Sequence, residues 1–280
     1  MTAVELAGLS AARDPEWRPR LVALDLDGTV VQYREFDGVP SAAVLAAIDA
    51  VRAAGVPVIV ATGRSVWGAL PTAAMLGLDG IELVCSNGAV VYDGGAGRII
   101  HEITIDPSPA ARSLAARAPS AGFAVERGAD GWLHTAGFAR DFPGPFLAEV
   151  ELDELLTIPT PRLVCRADDY TPEEAAAIAA AALQGAPYSW DIGYSSWIDV
   201  MAPGVSKASG VALVAADLGI PASDVLAIGD GSNDVELFGW VGHAIAMGQA
   251  PASVQAAAHE VTSSVDDDGV AAALGRWFQR

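Results

Sequence analysis

Asp25 and Asp27 stand two positions apart at the end of an apolar run, Leu21-Val22-Ala23-Leu24, and a Gly28-Thr29 pair follows them. Residues i and i+2 of an extended chain point to the same side, so the two carboxylates face one direction with Leu26 turned away. Gly28 permits a sharp backbone turn that a side chain would obstruct. Two bare carboxylates at such short range repel. A hard cation removes that penalty, and Mg²⁺ takes oxygen ligands while usually keeping several waters. Alone, Asp-x-Asp also fits a surface loop. The unbroken apolar run before it favours a buried strand, which puts the acids at the carboxyl end of a sheet strand, where open α/β sheets bind ligands.

Three further groups follow the ends or starts of other elements: Thr62-Gly63-Arg64, Lys207, and Gly229-Asp230 with Asn233-Asp234. Each has a plain structural reading: Thr62 as a strand-end cap, Lys207 as a solvated helix residue, and Gly229–Asp234 as a turn. Arg64 fits pairing with an acid or reaching a ligand. Their joint order and placement argue for a shared site.

The elements that position these groups are legible as alternating strands and helices. Val56–Ala61 and Ile81–Cys85 are apolar strands, and Ser41 caps a helix through Arg52 that Gly55 stops. A helix from Ser65 to about Leu76 is expected to break or bend near Pro71. Ser86-Asn87-Gly88 signals a hairpin turn, with Ala89–Tyr92 returning. After Asp93 the texture changes to short extended pieces, Arg98–Ile105, Gly122–Glu126, Gly131–Thr135 and Arg162–Arg166, with helices near Pro109–Ala118 and Thr171–Leu183. Thr171, Pro172 and Glu174 form a strong helix start. From Trp197 the alternation resumes through strands at Trp197–Met201, Asp224–Ile228 and His243–Met247. Strands alternating with helices imply parallel pairing.

The expected architecture is therefore α/β: a Rossmann-like parallel-sheet core at residues 21–93 and 194–280, an inserted α+β cap at 94–193, and a loose lead-in at 1–20. The 280 residues suffice for this, and 52% are hydrophobic, so the chain can bury a sizeable core. A formal net charge of −19 argues against generic binding to nucleic acid or to an anionic membrane. It does not bar an anionic small molecule, because a local cation reverses the field. Cys85 and Cys165 are the only cysteines and read as two free buried thiols in a reducing compartment. No signal peptide and no apolar run near the ~20 residues of a membrane span are visible, so a cytoplasmic protein is expected.

The ordered set Asp25-x-Asp27-Gly28-Thr29, Thr62-Gly63-Arg64, Lys207 and Gly229-Asp230-x-x-Asn233-Asp234 resembles the haloacid dehalogenase superfamily of phosphatases. Cys85-Ser86-Asn87-Gly88-Ala89, Gly204-Val205-Ser206-Lys207, Ala246-Met247-Gly248 and Asp268-Gly269-Val270-Ala271 resemble its Cof-type members, which carry a large cap between the second and third motifs. The resemblance implies a Mg²⁺-dependent phosphomonoester hydrolase acting on a sugar phosphate or similar small phosphorylated metabolite. It implies Asp25 as nucleophile, forming an aspartyl-phosphate, and Asp27 as general acid and then base. It implies a metal held by Asp25, the Asp27 carbonyl and Asp230, with Asp234 supporting it directly behind or through water. Phosphate falls to Thr62, the Gly63 amide, Lys207 and Asn233. Carboxylates outnumber Lys207 in this set, so a cation is an electrostatic requirement as well.

Two departures stand out. Ala208 and Ser209 separate Lys207 from Gly210, and Gln249 stands where Asn is frequent; neither is expected to touch the chemistry, but Gln249 could alter a phosphate-side or cap-side contact. Trp132, His134, Arg162, Arg166, Tyr188 and Trp190 could line a substrate pocket, although each also fits a core or surface position. Cap closure is expected, with hinges near Asp93–Gly97 and Tyr188–Gly193. The alternatives are a phosphomutase of the same superfamily and a silent metabolite-binding or regulatory protein. The sequence fixes no oligomeric state.

Overall fold

A computed structural model of the chain describes residues 16–32, 38–78, 80–141, 144–192 and 196–278. Most of the expected lead-in (1–15), part of the expected 31–40 loop (33–37) and Gly193 of the second expected hinge lie outside the described residues. In chain order the elements are β1 (Leu21–Leu24), α1 (Ala42–Ala53), β2 (Val58–Ala61), α2 (Val66–Met75), β3 (Glu82–Cys85), β4 (Val90–Asp93), β5 (Arg98–Glu102) and α3 (Ser108–Ala115). They continue as β6 (Gly122–Glu126), β7 (Trp132–His134), β8 (Phe146–Glu149), α4 (Leu152–Leu155), β9 (Leu163–Arg166), α5 (Pro172–Ala182), β10 (Ser189–Ile192) and β11 (Trp197–Met201). The last are α6 (Lys207–Asp217), β12 (Val225–Gly229), α7 (Val235–Trp240), β13 (His243–Ala246), α8 (Ala252–Ala257), β14 (Glu260–Val261) and α9 (Gly269–Phe278). The chain forms two compact units, residues 1–60 with 211–280, and residues 61–210.

In the first unit the strands run β14-β13-β12-β1-β2, every pair parallel. Leu21–Leu24 and Val225–Gly229 are buried along their whole length. Unbroken apolar runs are what a parallel strand covered on both faces requires, so these segments could not sit at a solvated edge. The β1–α1–β2 crossover is capped as expected: Ser41 Oγ accepts from Val44 N–H at 3.1 Å. α1 packs against α9. The lead-in is not wholly loose. Trp17 donates its indole N–H to Ser223 O at 3.0 Å and packs its ring against His243 and Trp277. An aromatic ring gains too much by such burial to stay in solvent.

The second unit holds an antiparallel run β3-β4-β5 and a six-stranded sheet ordered β10-β11-β9-β6-β7-β8. The latter is antiparallel throughout except for the β7–β8 pair. Trp197–Met201, read from the sequence as the start of the resumed alternation, pairs antiparallel with Leu163–Arg166 and Ser189–Ile192 in this sheet. Alternation gives the sheet two different faces. Phe123, Val125, Leu163, Cys165, Ile198 and Val200 form an apolar face, which α3 and α5 cover. Glu126, Trp132, His134, Val164, Arg166, Trp197 and Asp199 share the other, as their cross-strand registers show.

α2 runs through Pro71 as one helix, and Asp93–Gly97 is a tight β4–β5 turn in which Gly97 N–H donates to Asp93 O at 2.8 Å. The expected hairpin turn at 86–88 is present, with both Ser86 and Asn87 at positive φ (51° and 54°). Gly88 follows at φ 97°, and an added Cβ would lie 2.0 Å from Ser206 O. Gly55 also has a positive φ, 77°, but nothing within 4 Å of an added Cβ. Gly55→Ala is expected to cost about 1 kcal/mol, the left-handed penalty alone. Gly88→Ala should cost roughly 3 kcal/mol or more, because the backbone of Ser206 must also shift. Urea denaturation of the two variants checks this; equal losses would mean that the 88–206 approach is slack.

Candidate active site

β1 and β12 lie side by side, and each ends in an acid. Asp25 follows β1, its N–H donating to Ile228 O at 3.0 Å, and Asp230 follows β12. Asp25, Asp230 and Asp234 are buried, and each offers a carboxylate oxygen within 4.8 Å of the other two. Three buried carboxylates so close together are strongly unfavourable without a positive partner. The donors are all oxygens, which suits a hard divalent cation and not a soft metal.

The surrounding backbone fixes each acid. After Asp25 the chain wraps around one carbonyl: Thr29, Val30 and Val31 N–H all donate to Leu26 O, at 3.2, 2.9 and 3.0 Å. Gly28, at φ 76°, makes that turn possible. Asp27 sits in it, half-buried, and is not one of the three clustered acids. Asp234 Oδ2 accepts from the N–H groups of Asp230 and Gly231 at 3.0 and 2.9 Å, which locks the Gly229–Asp234 turn. A Cβ at position 229 would lie 2.3 Å from the Asp234 carboxyl carbon, so only glycine fits there.

Two residues given no role by sequence reasoning touch this cluster. Thr29 Oγ1 donates to Asp230 Oδ1 at 3.2 Å. Gln249 Nε2 donates to Gly28 O at 2.5 Å and to Asp230 Oδ2 at 3.3 Å, while its Oε1 accepts from Val265 N–H at 2.9 Å. Gln249, expected at most to alter a phosphate-side or cap-side contact, thus binds the acid cluster itself through Asp230. Its longer amide reaches Asp230, and its spacing from Asp230 carries no local signal. Asn233 belongs to the same turn, its side-chain oxygen close to Gly231.

In the second unit, Thr62 is fully buried just beyond β2, and its N–H donates to Val84 O at 2.9 Å. Thr62 O accepts from Asn87 N–H at 3.1 Å, and Thr62 Oγ1 accepts from Arg64 N–H at 3.1 Å. Arg64 turns along its own helix and donates to Gly68 O and Thr72 Oγ1. Lys207 opens α6 and is buried. Ser206 and Ser209 cap this helix reciprocally, through Ser206 N–H to Ser209 Oγ at 3.0 Å and Ser209 N–H to Ser206 Oγ at 3.4 Å. Ser209 thus has a local reason to stand where it does.

Of the residues expected from sequence to line a substrate pocket, Trp132, His134, Arg162 and Arg166 come together on the polar side of the six-stranded sheet. Arg162 lies over the Trp132 ring at 5.1 Å, and Arg166 over Trp197 at 5.0 Å. Tyr188 and Trp190 do not join them. Tyr188 donates to Asp106 O at 3.1 Å, and Trp190 pairs with Val200, which belongs to the opposite face. Arg162 is instead the centre of a buried ion group that spacing could not reveal. Its Nε donates to Glu126 at 3.0 Å, and its Nη1 donates to Asp199 at 3.1 Å and to Gly63 O at 2.6 Å. Ser86 Oγ lies 2.6 and 2.8 Å from the two Glu126 oxygens.

Two acids share one cation here. Burial pushes the Glu126 carboxyl above the usual carboxylate range, although Arg162 and Ser86 pull it back. Burial raises Asp199 likewise, against Arg162. Burial opposes the Arg162 charge, but Asp199 and Glu126 outweigh it and hold the guanidinium charged.

A model of the haloacid dehalogenase-like hydrolase family matches residues 22–274. The phosphoglycolate phosphatase of Halobacterium salinarum is 28% identical over 261 residues, covering 91% of this chain and 96% of that protein. The phosphoglycolate phosphatase of Aeropyrum pernix is 32% identical over 251 residues, covering 88% and 87%. Among solved structures, the phosphatase BT1666 from Bacteroides thetaiotaomicron has a TM-score of 0.77 at 25% identity, covering 96% of this chain and 98% of its own. The subclass IIB sugar phosphatase BT4131 also has a TM-score of 0.77, at 22% identity and 91% and 97% coverage; this likeness shows the fold. The chain belongs to the haloacid dehalogenase-like hydrolase family.

The buried ion group carries a pH signature. Burial raises the folded pKa of both Glu126 and Asp199, so the folded state binds their protons more tightly than the unfolded chain does. Their contribution to stability is full below the ordinary carboxylate pKa and is lost as pH rises through the raised folded values. Glu126→Gln removes one of the two sources. Urea midpoints taken from acid to neutral pH should therefore fall less steeply in that variant than in the parent. An unchanged slope would show that Glu126 ionises in the folded protein as it does in the unfolded one.

Proposed function

We propose, from membership of this hydrolase family, that the chain is a Mg²⁺-dependent phosphomonoesterase acting on a small phosphorylated metabolite through an aspartyl-phosphate on Asp25. The observation that carries the reading is the buried Asp25–Asp230–Asp234 cluster at the ends of two neighbouring parallel strands. A divalent cation held there by Asp25, Asp230, the Asp27 carbonyl and, more remotely, Asp234 would supply charge neutralisation and in-line orientation of the phosphate. The names of the relatives, phosphoglycolate and sugar phosphatases, support a small anionic or sugar-based substrate.

The steps follow from the chain's own groups. An Asp25 carboxylate oxygen attacks phosphorus, the bond from phosphorus to the substrate oxygen breaks, and Asp27 gives its proton to the departing alcohol. Water then attacks the phosphorus of the aspartyl-phosphate, Asp27 takes the water's proton, and inorganic phosphate leaves with Asp25 restored. Thr62, the Gly63 amide, Lys207 and Asn233 are assigned to the phosphate oxygens, where they position the group and compensate charge. Residues 94–193 are assigned as the cap that selects the substrate.

Phosphate release from a panel of sugar phosphates, phosphoglycolate, pyridoxal phosphate and nucleotides tests this. Turnover is expected with Mg²⁺, is expected to stop with EDTA, and should fall by a thousandfold or more, on the order seen when a nucleophile is removed, in Asp25→Asn. Release that survives Asp25→Asn unchanged would overturn the nucleophile and the mechanism with it. Absence of release from every compound would overturn the hydrolase reading.

A further inference from the structure

We propose that Arg162 is a positioning residue for phosphate binding, holding the Gly63–Arg64 peptide so that the Thr62 hydroxyl presents its proton as a donor. The inference rests on the phosphomonoesterase reading and on the assignment of Thr62 and Gly63 to the phosphate.

The carbonyl and the N–H of a trans peptide point in opposite directions, and no peptide bond among the described residues is cis. The Gly63–Arg64 peptide is gripped at both ends. Its oxygen accepts from Arg162 Nη1 at 2.6 Å, and its N–H donates to Thr62 Oγ1 at 3.1 Å. A threonine hydroxyl has one proton and two lone pairs. An N–H on one lone pair turns the hydroxyl proton elsewhere, free to donate. The preceding peptide is gripped as well: Thr62 O accepts from Asn87 N–H at 3.1 Å, so Gly63 N–H points away from Asn87. Both hydrogens assigned to phosphate are thus aimed by bonds made on the far side of their own peptides.

Arg162 can hold its end because it is itself held. Glu126 takes Nε and Asp199 shares Nη1. Glu126 also binds the Ser86 hydroxyl, and Ser86 N–H donates to Arg64 O at 2.8 Å. One ion group therefore grips both segments of the loop, 62–64 through Arg162 and 86–87 through Glu126. A buried ion group is a poor source of stability compared with apolar packing. Fixing a loop's geometry is a use that apolar residues cannot serve. Lysine cannot replace the planar fork that reaches Glu126, Asp199 and Gly63 at once.

The test is steady-state kinetics on p-nitrophenyl phosphate with Mg²⁺, together with competitive inhibition by inorganic phosphate, for Arg162→Lys, Thr62→Val and the double variant. Arg162→Lys is expected to lose about tenfold in kcat/KM and to weaken phosphate inhibition similarly, the scale of one charge-assisted hydrogen bond. In the Thr62→Val background the same change should cost less than about twofold, because the donor it orients is gone. A purely structural role would lower the melting temperature and leave the inhibition constant and this non-additivity unmoved; that result overturns the inference. If Arg162→Lys does not fold, Glu126→Gln decides, since it keeps one acceptor oxygen, removes the charge and so loosens the grip on Arg162 and Ser86. A loss of phosphate inhibition that shrinks in the Thr62→Val background supports the proposal, and an unchanged inhibition constant refutes it. An inactive parent chain would instead refute the hydrolase reading on which the inference stands.

Discussion

Three buried carboxylates within 4.8 Å of one another set the terms for the first unit. Like charges in a low-dielectric pocket repel, and no packing of apolar side chains relieves that repulsion. The chain accepts it because rigid elements force it: Asp25 and Asp230 follow adjacent parallel strands whose registers are locked from Leu21↔Val225 to Leu24↔Ile228. Asp234 is pinned by the N–H groups of Asp230 and Gly231. Thr29 and Gln249 supply donors to Asp230, which eases but does not cancel the charge. What remains is a cluster of negative oxygens of the kind that a hard divalent cation neutralises.

In the second unit the constraint is the orientation of peptide planes. Backbone hydrogens are directed only as well as their peptide planes are fixed. The 62–64 and 86–88 segments depart from regular strand geometry, with Ser86, Asn87 and Gly88 all at positive φ. Strain of this kind persists only where surrounding bonds over-determine it. Here they include the Arg162 bond to Gly63 O and the Glu126 bond to Ser86, made from a sheet of otherwise ordinary antiparallel construction.

The parts of this arrangement written locally in the sequence were legible. β1 and β12 announce themselves as apolar runs followed by acids, and the grouping of Asp25, Asp230 and Asp234 is what the family resemblance implied. The capping box at Thr171 and Glu174 formed as read. Features that depend on distant pairing were not legible. Trp197–Met201 reads as a strand, but nothing in its residues says that its neighbours are Leu163–Arg166 and Ser189–Ile192. Phe146–Glu149 went unseen beside Gly144 and Pro145, which signal a loop. Glu126, Arg162 and Asp199 lie tens of residues apart and share no spacing rule. Gln249 read as a departure that could alter a contact, but which contact was not legible, because its reach to Asp230 exists only once the chain has folded.

The central claim is that the acid cluster is a cation site. The most direct measurement is the thermal midpoint of the parent chain and of Asp230→Asn as Mg²⁺ is raised from none to saturation. The parent midpoint should climb with Mg²⁺ as binding to the folded state adds to stability. Asp230→Asn, relieved of one buried charge, should melt no lower than the parent without Mg²⁺ and should barely respond to it. A parent insensitive to Mg²⁺, or a variant that responds equally, would contradict the account.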